Sequence, residues 1–154
     1  MNKAPFPQWH RFILSLCAGI FAADAAAILT VSQPWVRLSA DRRSADVYMD
    51  IKSSEGATLI GADTFAAAAV SIKSPATRNH AATEIPLAAK TTVKLAPAGS
   101  RIALARLTKP LKLGDLVPIS LKIRSADGSV QEILVIAEVR RHSAQDDELR
   151  PHKH

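Results

Sequence analysis

The sequence predicts a single all-β domain, a sandwich or barrel of about seven to nine short strands. Three observations carry this. The dominant hydrophobic period from Ile28 onward is two, turn residues punctuate the alternating runs at short intervals, and the size and composition fit one globular domain. The chain has 154 residues, of which 47% are hydrophobic and 22% charged. That is enough to close a core without metal or disulfide staples, and it argues against global disorder.

Residues 1–27 read as a secretory signal peptide. Lys3, His10 and Arg11 give a basic start, Phe12 to Ala22 form an apolar run, and Ala25-x-Ala27 fits the small-x-small cleavage pattern. The alternative is an uncleaved membrane anchor, but the apolar run is shorter than the roughly 20 residues a spanning helix needs. A lipoprotein reading of Cys17 is weaker, because Leu16 stands where a small residue should precede the modified cysteine. Cleavage after Ala27 removes two cations and one carboxylate (Lys3, Arg11 and Asp24), lowering the net charge from +6 to +5. It also removes the lone Cys, which suits a protein exported to an oxidising compartment. No stable membrane span remains after cleavage.

The body, residues 28–139, divides into strands in order. Leu29–Leu38 is the first. Val47, Met49 and Ile51 alternate with Tyr48, Asp50 and Lys52, and Ser53-Ser54-Glu55-Gly56 closes that strand. Ala57–Ala62, Ala68–Lys73, Thr91–Leu95 and Arg101–Leu107 follow, separated by turn signals such as Ala96-Pro97-Ala98-Gly99. Ala66–Ala69 admits a helical turn but is short and leads into Val70-Ser71-Ile72. Val117, Ile119, Leu121 and Ile123 alternate with Pro118, Ser120, Lys122 and Arg124. Asp127-Gly128 supplies the positive φ of a hairpin loop. The return run, Val130–Val139, is so continuously apolar that it reads as a central strand packed on both sides. Residues 140–154 are polar, charged and aperiodic, and read as a disordered tail.

Several segments resemble one family. Gln33-Pro34-Trp35-Val36-Arg37 looks like its opening "PWVR" strand, and Ala45–Ile51 resembles the next, with an aromatic-Met pair. Leu95-Ala96-Pro97-Ala98-Gly99 and Leu107–Asp115 resemble its "L-x-P-G-G" and "L-x-x-P-L-x-x-G-D" segments. The family is the copper chaperone PCu(A)C domain, a cupredoxin-like β-barrel exported by bacteria. The resemblance covers about Ile28 to Val139. It implies a periplasmic copper carrier linked to cytochrome oxidase maturation, with copper as the bound metal and a copper-handling or oxidase assembly protein as partner. Family members bind copper through an exposed His, a loop Met, and a His-x-Met on a later strand. Thioether sulfur selects Cu(I), and imidazole suits both oxidation states.

Carried over residue by residue, those ligands are replaced. The first His falls on Lys73, and the His-x-Met falls on Arg101-Ile102-Ala103. The intervening loop, Ser74–Ile85, looks shortened and holds no Met. Lys and Arg are cations that do not ligate copper at neutral pH. Met49 matches a different strand of the family, where packing is expected. The remaining metal candidates are His80 in the shortened loop and His142, His152 and His154 in the tail. His80 reads first as an exposed loop histidine, since one His is not a site. The tail is a sparse His tract that could hold Cu(II), Ni or Zn weakly. Lys73 and Arg101 should lie near each other in the family geometry, with Arg106 on the same strand as Arg101, either as solvated cations or as a patch for an anion or acidic partner.

Other classes fit poorly. Basic residues are scattered and aromatics make up 5% of the chain, so nucleic acid is a weak candidate. There is no Gly-x-Ser-x-Gly, His-Glu-x-x-His, phosphate loop or exported Cys nucleophile, so the expectation is not an enzyme. Two functions remain: periplasmic copper handling without the usual site, or a divergent non-metal-binding barrel working by protein–protein or anion contact.

Overall fold

A computed structural model of the chain describes residues 27–75 and 83–143. These form nine strands: β1 (Leu29–Leu38), β2 (Ser44–Ser53), β3 (Ala57–Asp63), β4 (Ala67–Lys73), β5 (Ile85–Leu87), β6 (Thr92–Leu95), β7 (Arg101–Leu107), β8 (Leu116–Ser125) and β9 (Val130–Val139). No helix among the described residues is long and apolar enough to cross a membrane.

The strands make one sheet in the order β4-β7-β2-β1-β9-β8-β3-β5, with β6 added to the far half of β2. The turn between β3 and β4 draws the two ends of this order together, so the sheet is nearly closed into a barrel. All the neighbours are antiparallel except β1 and β9, which run parallel at Trp35↔Glu138 and Val36↔Val139. Strand alternation fills the interior. Val47, Met49 and Ile51 from β2, Ile102 and Leu104 from β7, and Val117, Ile119, Leu121 and Ile123 from β8 are all at most 1% exposed. Burying each such aliphatic side chain contributes roughly 1.5–3 kcal/mol, which makes this the main stabilising term.

One irregularity sets up the outer surface. The β1–β2 register slips between Ser32 and Trp35, and Gln33 takes a left-handed φ of 51°. A one-residue slip reverses which residues face inward. Leu29 and Val31 pack on the core before the slip, and Val36 and Leu38 do so after it. Trp35 is thereby turned to the outside of the barrel. Pro34 sits in the slip, where no ladder N–H is required.

The structure corrects two expectations and settles a third. β9 is central in strand order, but it is not packed on both sides. Val135, Ala137 and Val139 face the core, whereas Leu134 is 69% exposed and Ile136 47%. Second, the stretch read as loop up to Ile85 ends in a strand, β5, which pairs with β3 through Leu59↔Ile85 and Ala57↔Leu87. Its three residues include Pro86, tolerated because β5 is an edge. At Ala66–Ala69, β4 begins at Ala67, so that stretch is extended and not helical.

Candidate functional site

Lys73, Arg101 and Ala103, the positions that the family resemblance sets against its copper donors, lie together in this fold. β4 and β7 pair with Lys73 directly opposite Arg101 and Ser71 opposite Ala103. Between them, Ile72 and Ile102 point into the core. Lys73, Arg101 and Ala103 therefore share the outer face at one corner of the barrel, beside the segment that begins at Ser74. Here Ser100 Oγ donates to Ser74 Oγ at 3.4 Å. The expected nearness of Lys73 and Arg101 holds in the register. Arg106 does not join them, because it lies at the far end of β7.

The chemistry of this corner is ionic. β2 lays Asp46 opposite Ala103, and the Asp46 carboxylate meets Arg101 Nε at 3.4 Å. That approach is an ion pair by distance and lacks hydrogen-bond alignment, so the buried Nε has no hydrogen-bond acceptor among the described residues. The other Asp46 oxygen accepts a long hydrogen bond from the Tyr48 hydroxyl, 3.4 Å away. Tyr48 is 1% exposed although it faces outward, because Trp35 packs on it at 4.7 Å between ring centroids and the Arg37 guanidinium lies 5.6 Å over its ring. Burial pushes the Tyr48 hydroxyl pKa up, the Asp46 carboxylate adds to the rise, and Arg37 opposes it. Trp35, Arg37, Asp46, Tyr48 and Arg101 thus form a second, small cluster on the outside of the sheet.

Such a corner offers no soft or imidazole donor for copper. Lys73, Arg101 and Ala103 bring two cations and a methyl group, and a carboxylate already engaged with an arginine is a hard donor unsuited to Cu(I). Among the described residues no group of three or more His, Cys, Asp or Glu side chains could hold a metal ion. Met49 is 1% exposed and part of the core. His142 is described, exposed and just beyond β9, with a contact of its own. His80, His152, His154, the residues 1–26 read as signal peptide and tail residues 144–154 lie outside the described residues. Ser143 lines a shallow depression with Trp35, Lys94 and Pro97, so the chain after β9 turns back along the barrel towards the β6–β7 turn.

The Trp35–Tyr48 cluster was missed by sequence reasoning. Its one signal was the aromatic at position 48 in an otherwise polar outward row. Recognising it also required the slip at Gln33.

Comparisons with known proteins agree with this geometry. Residues 29–149 match the family described as "Putative lipoprotein LpqE-like". A protein of Leifsonia xyli subsp. xyli named a "putative lipoprotein" is 33% identical over 115 residues, which cover 68% of this chain and 66% of that relative's length, just under two thirds. Among solved structures, the apo PCuAC domain from PmoF1 superposes with a TM-score of 0.64 at 24% identity, over 73% of this chain and 92% of that domain. The copper-bound PCuAC domain from PmoF2 gives 0.61 at 23% identity, covering 73% and 92%. The Cu(I) form of DR1885 from Deinococcus radiodurans gives 0.58 at 26% identity, covering 77% and 83%. The chain belongs to the LpqE-like family and is built on the cupredoxin-like PCu(A)C fold.

Proposed function

We propose that the chain is a non-enzymatic protein exported to the periplasm, cleaved after residue 27, and engaged in copper handling linked to oxidase maturation. In this reading the barrel recognises a partner and does not itself hold copper at the family's corner. One observation carries it: Lys73 and Arg101 face each other where the donors should be, with Ala103 beside them. The copper-bound structures among the fold's relatives support the copper side. Any metal the chain carries then falls to His142, His152 and His154 in the tail, or to His80.

A second reading, a divergent barrel acting by protein or anion contact alone, is favoured by the exposed cations of the same corner. Titrating the chain from residue 28 with Cu(I) and Cu(II) against a competing chelator separates the two. Copper handling predicts binding that disappears on deleting residues 140–154, or, for the loop, in His80→Ala. Binding by neither full nor shortened chain leaves the second reading. The lipoprotein names of the family and relative raise Cys17 as an alternative anchor. Intact-mass measurement of the exported protein decides this: a chain beginning at Ile28 supports cleavage, and a lipid-modified chain beginning at Cys17 overturns it.

A further inference from the structure

The barrel end opposite the Lys73–Arg101 corner has a different character. Three connections meet there: the β1–β2 turn, the β3–β4 turn and the β7–β8 loop (residues 108–115). Three shallow depressions lie between them and adjoin in pairs, through Arg42, through Thr108 and Lys109, and through Leu111, so they form one continuous surface. Phe65 projects from the β3–β4 turn and is 99% exposed, with Leu116 at 65% and Leu113 at 53%. Around these apolar tips stand six exposed cations: Arg42, Arg43, Arg106, Lys109, Lys112 and Arg141. None of the six makes a side-chain salt bridge among the described residues, whereas Arg101, Arg124 and Arg140 each do. Of the carboxylates near this end, Asp63 and Glu138 pair with Lys122 and Arg140, and Asp41 and Asp115 are turned to their own loops. Asp41 accepts from Arg43 N and Asp115 from Lys112 N. Arg42 and Arg106 hold left-handed φ values of 54° and 56°, a conformation costly for a side chain of this size and commoner for Gly or Asn.

We infer that this end docks on the surface of an anionic phospholipid bilayer, with Phe65, Leu113 and Leu116 entering the headgroup region and the six cations meeting lipid phosphates. The shape favours lipid over a protein partner. The apolar residues are projecting tips, which suit insertion between headgroups, and protein anchors are instead matched to well-packed pockets. Charge complementarity favours anionic lipid, since cations near such a surface each add to attraction within a Debye length. Arg101 and the end of β7 are about 20 Å apart at 3.3–3.4 Å per residue. Docking therefore leaves the Lys73–Arg101 corner facing away from the bilayer, open to a soluble partner. The inference rests on the proposed export only for where the lipid is met, and vesicle binding is read independently of copper.

The test is flotation of the chain from residue 28, which contains all nine strands, with vesicles of phosphatidylglycerol and of phosphatidylcholine. Binding to phosphatidylglycerol, weak binding to phosphatidylcholine, and weakening by salt are expected. Arg42→Glu with Lys109→Glu should reduce binding by about tenfold or more. Lys52→Glu with Lys90→Glu, the same charge change at the opposite end, should alter it by less than about twofold. Phe65→Ser should weaken binding several-fold while leaving the thermal melt unchanged, since that side chain is nearly fully exposed. Absence of binding to phosphatidylglycerol overturns the inference. So does equal loss from the two double reversals, which would mark unspecific attraction of a basic chain, or an unaltered Phe65→Ser.

Discussion

Tyr48 is the only tyrosine in the chain, so its ionisation is directly readable. Burial against Trp35 and the Asp46 carboxylate favour the neutral phenol, and the absorbance titration of tyrosinate should give a pKa above the ordinary value near 10. A midpoint at or below that value would contradict the packing described. The same shift fixes a sign for stability. The unfolded chain loses the phenolic proton first, so stability falls as pH rises above about 10. Asp41 and Asp127 act at the other limit. Hydrogen bonds from Ser39 and Ser129 hydroxyls hold their carboxyls below the usual range, so their contribution is present above about pH 4 and is lost as pH falls through the lowered values. Ser53 offers a different residue-scale test. It continues the inward row of β2, is fully buried, and its hydroxyl has no hydrogen-bond partner among the described residues. Ser53→Ala should stabilise the protein by about 1 kcal/mol, read as a raised denaturation midpoint.

At the scale of elements, alternation located most strands but could not say what covers them. β1, β7 and β9 have the boundaries their sequence patterns indicate, because each is a long apolar or alternating run closed by turn residues. β5 was illegible. Ile85-Pro86-Leu87 is too short to show a period, and only its pairing with β3 makes it a strand. β9 misled for a physical reason: a continuous apolar run is expected when both faces are buried, yet it looks the same when one apolar face is left open. A substitution pair measures the difference. Leu134→Ala on the open face should change stability by no more than about 0.5 kcal/mol. Leu121→Ala, fully buried on the partner strand β8, should cost about 2–5 kcal/mol in chemical denaturation. A large loss at Leu134 would mean that something covers that face in solution. The hairpin loop before β9 was legible from Asp127-Gly128, and Gly128 does adopt a φ of 88°. Gly128→Ala should destabilise by about 1 kcal/mol, since the β-carbon is strained there.

For the whole molecule, the family's barrel was readable because its motifs fall in order along the chain, and the same order is what sets Lys73, Arg101 and Ala103 against the family's donors. Their convergence needed the β4–β7 register, which sets Lys73 against Arg101. The basic, Phe65-tipped end was not legible at all. Its cations come from β1–β2, β7, β7–β8 and the residues just after β9, and are scattered in sequence until the barrel gathers them. On the proposed function, the scaffold is retained while the copper corner has become ionic. The most direct measurement is a Cu(I) competition titration of the barrel, residues 28–139 with His80→Ala, beside the same barrel carrying Lys73→His, Arg101→His and Ala103→Met. No stoichiometric Cu(I) binding is expected of the first and about one equivalent of the second, since three donors would then share one exposed face. One equivalent bound tightly by the barrel without the three added donors would contradict that reading.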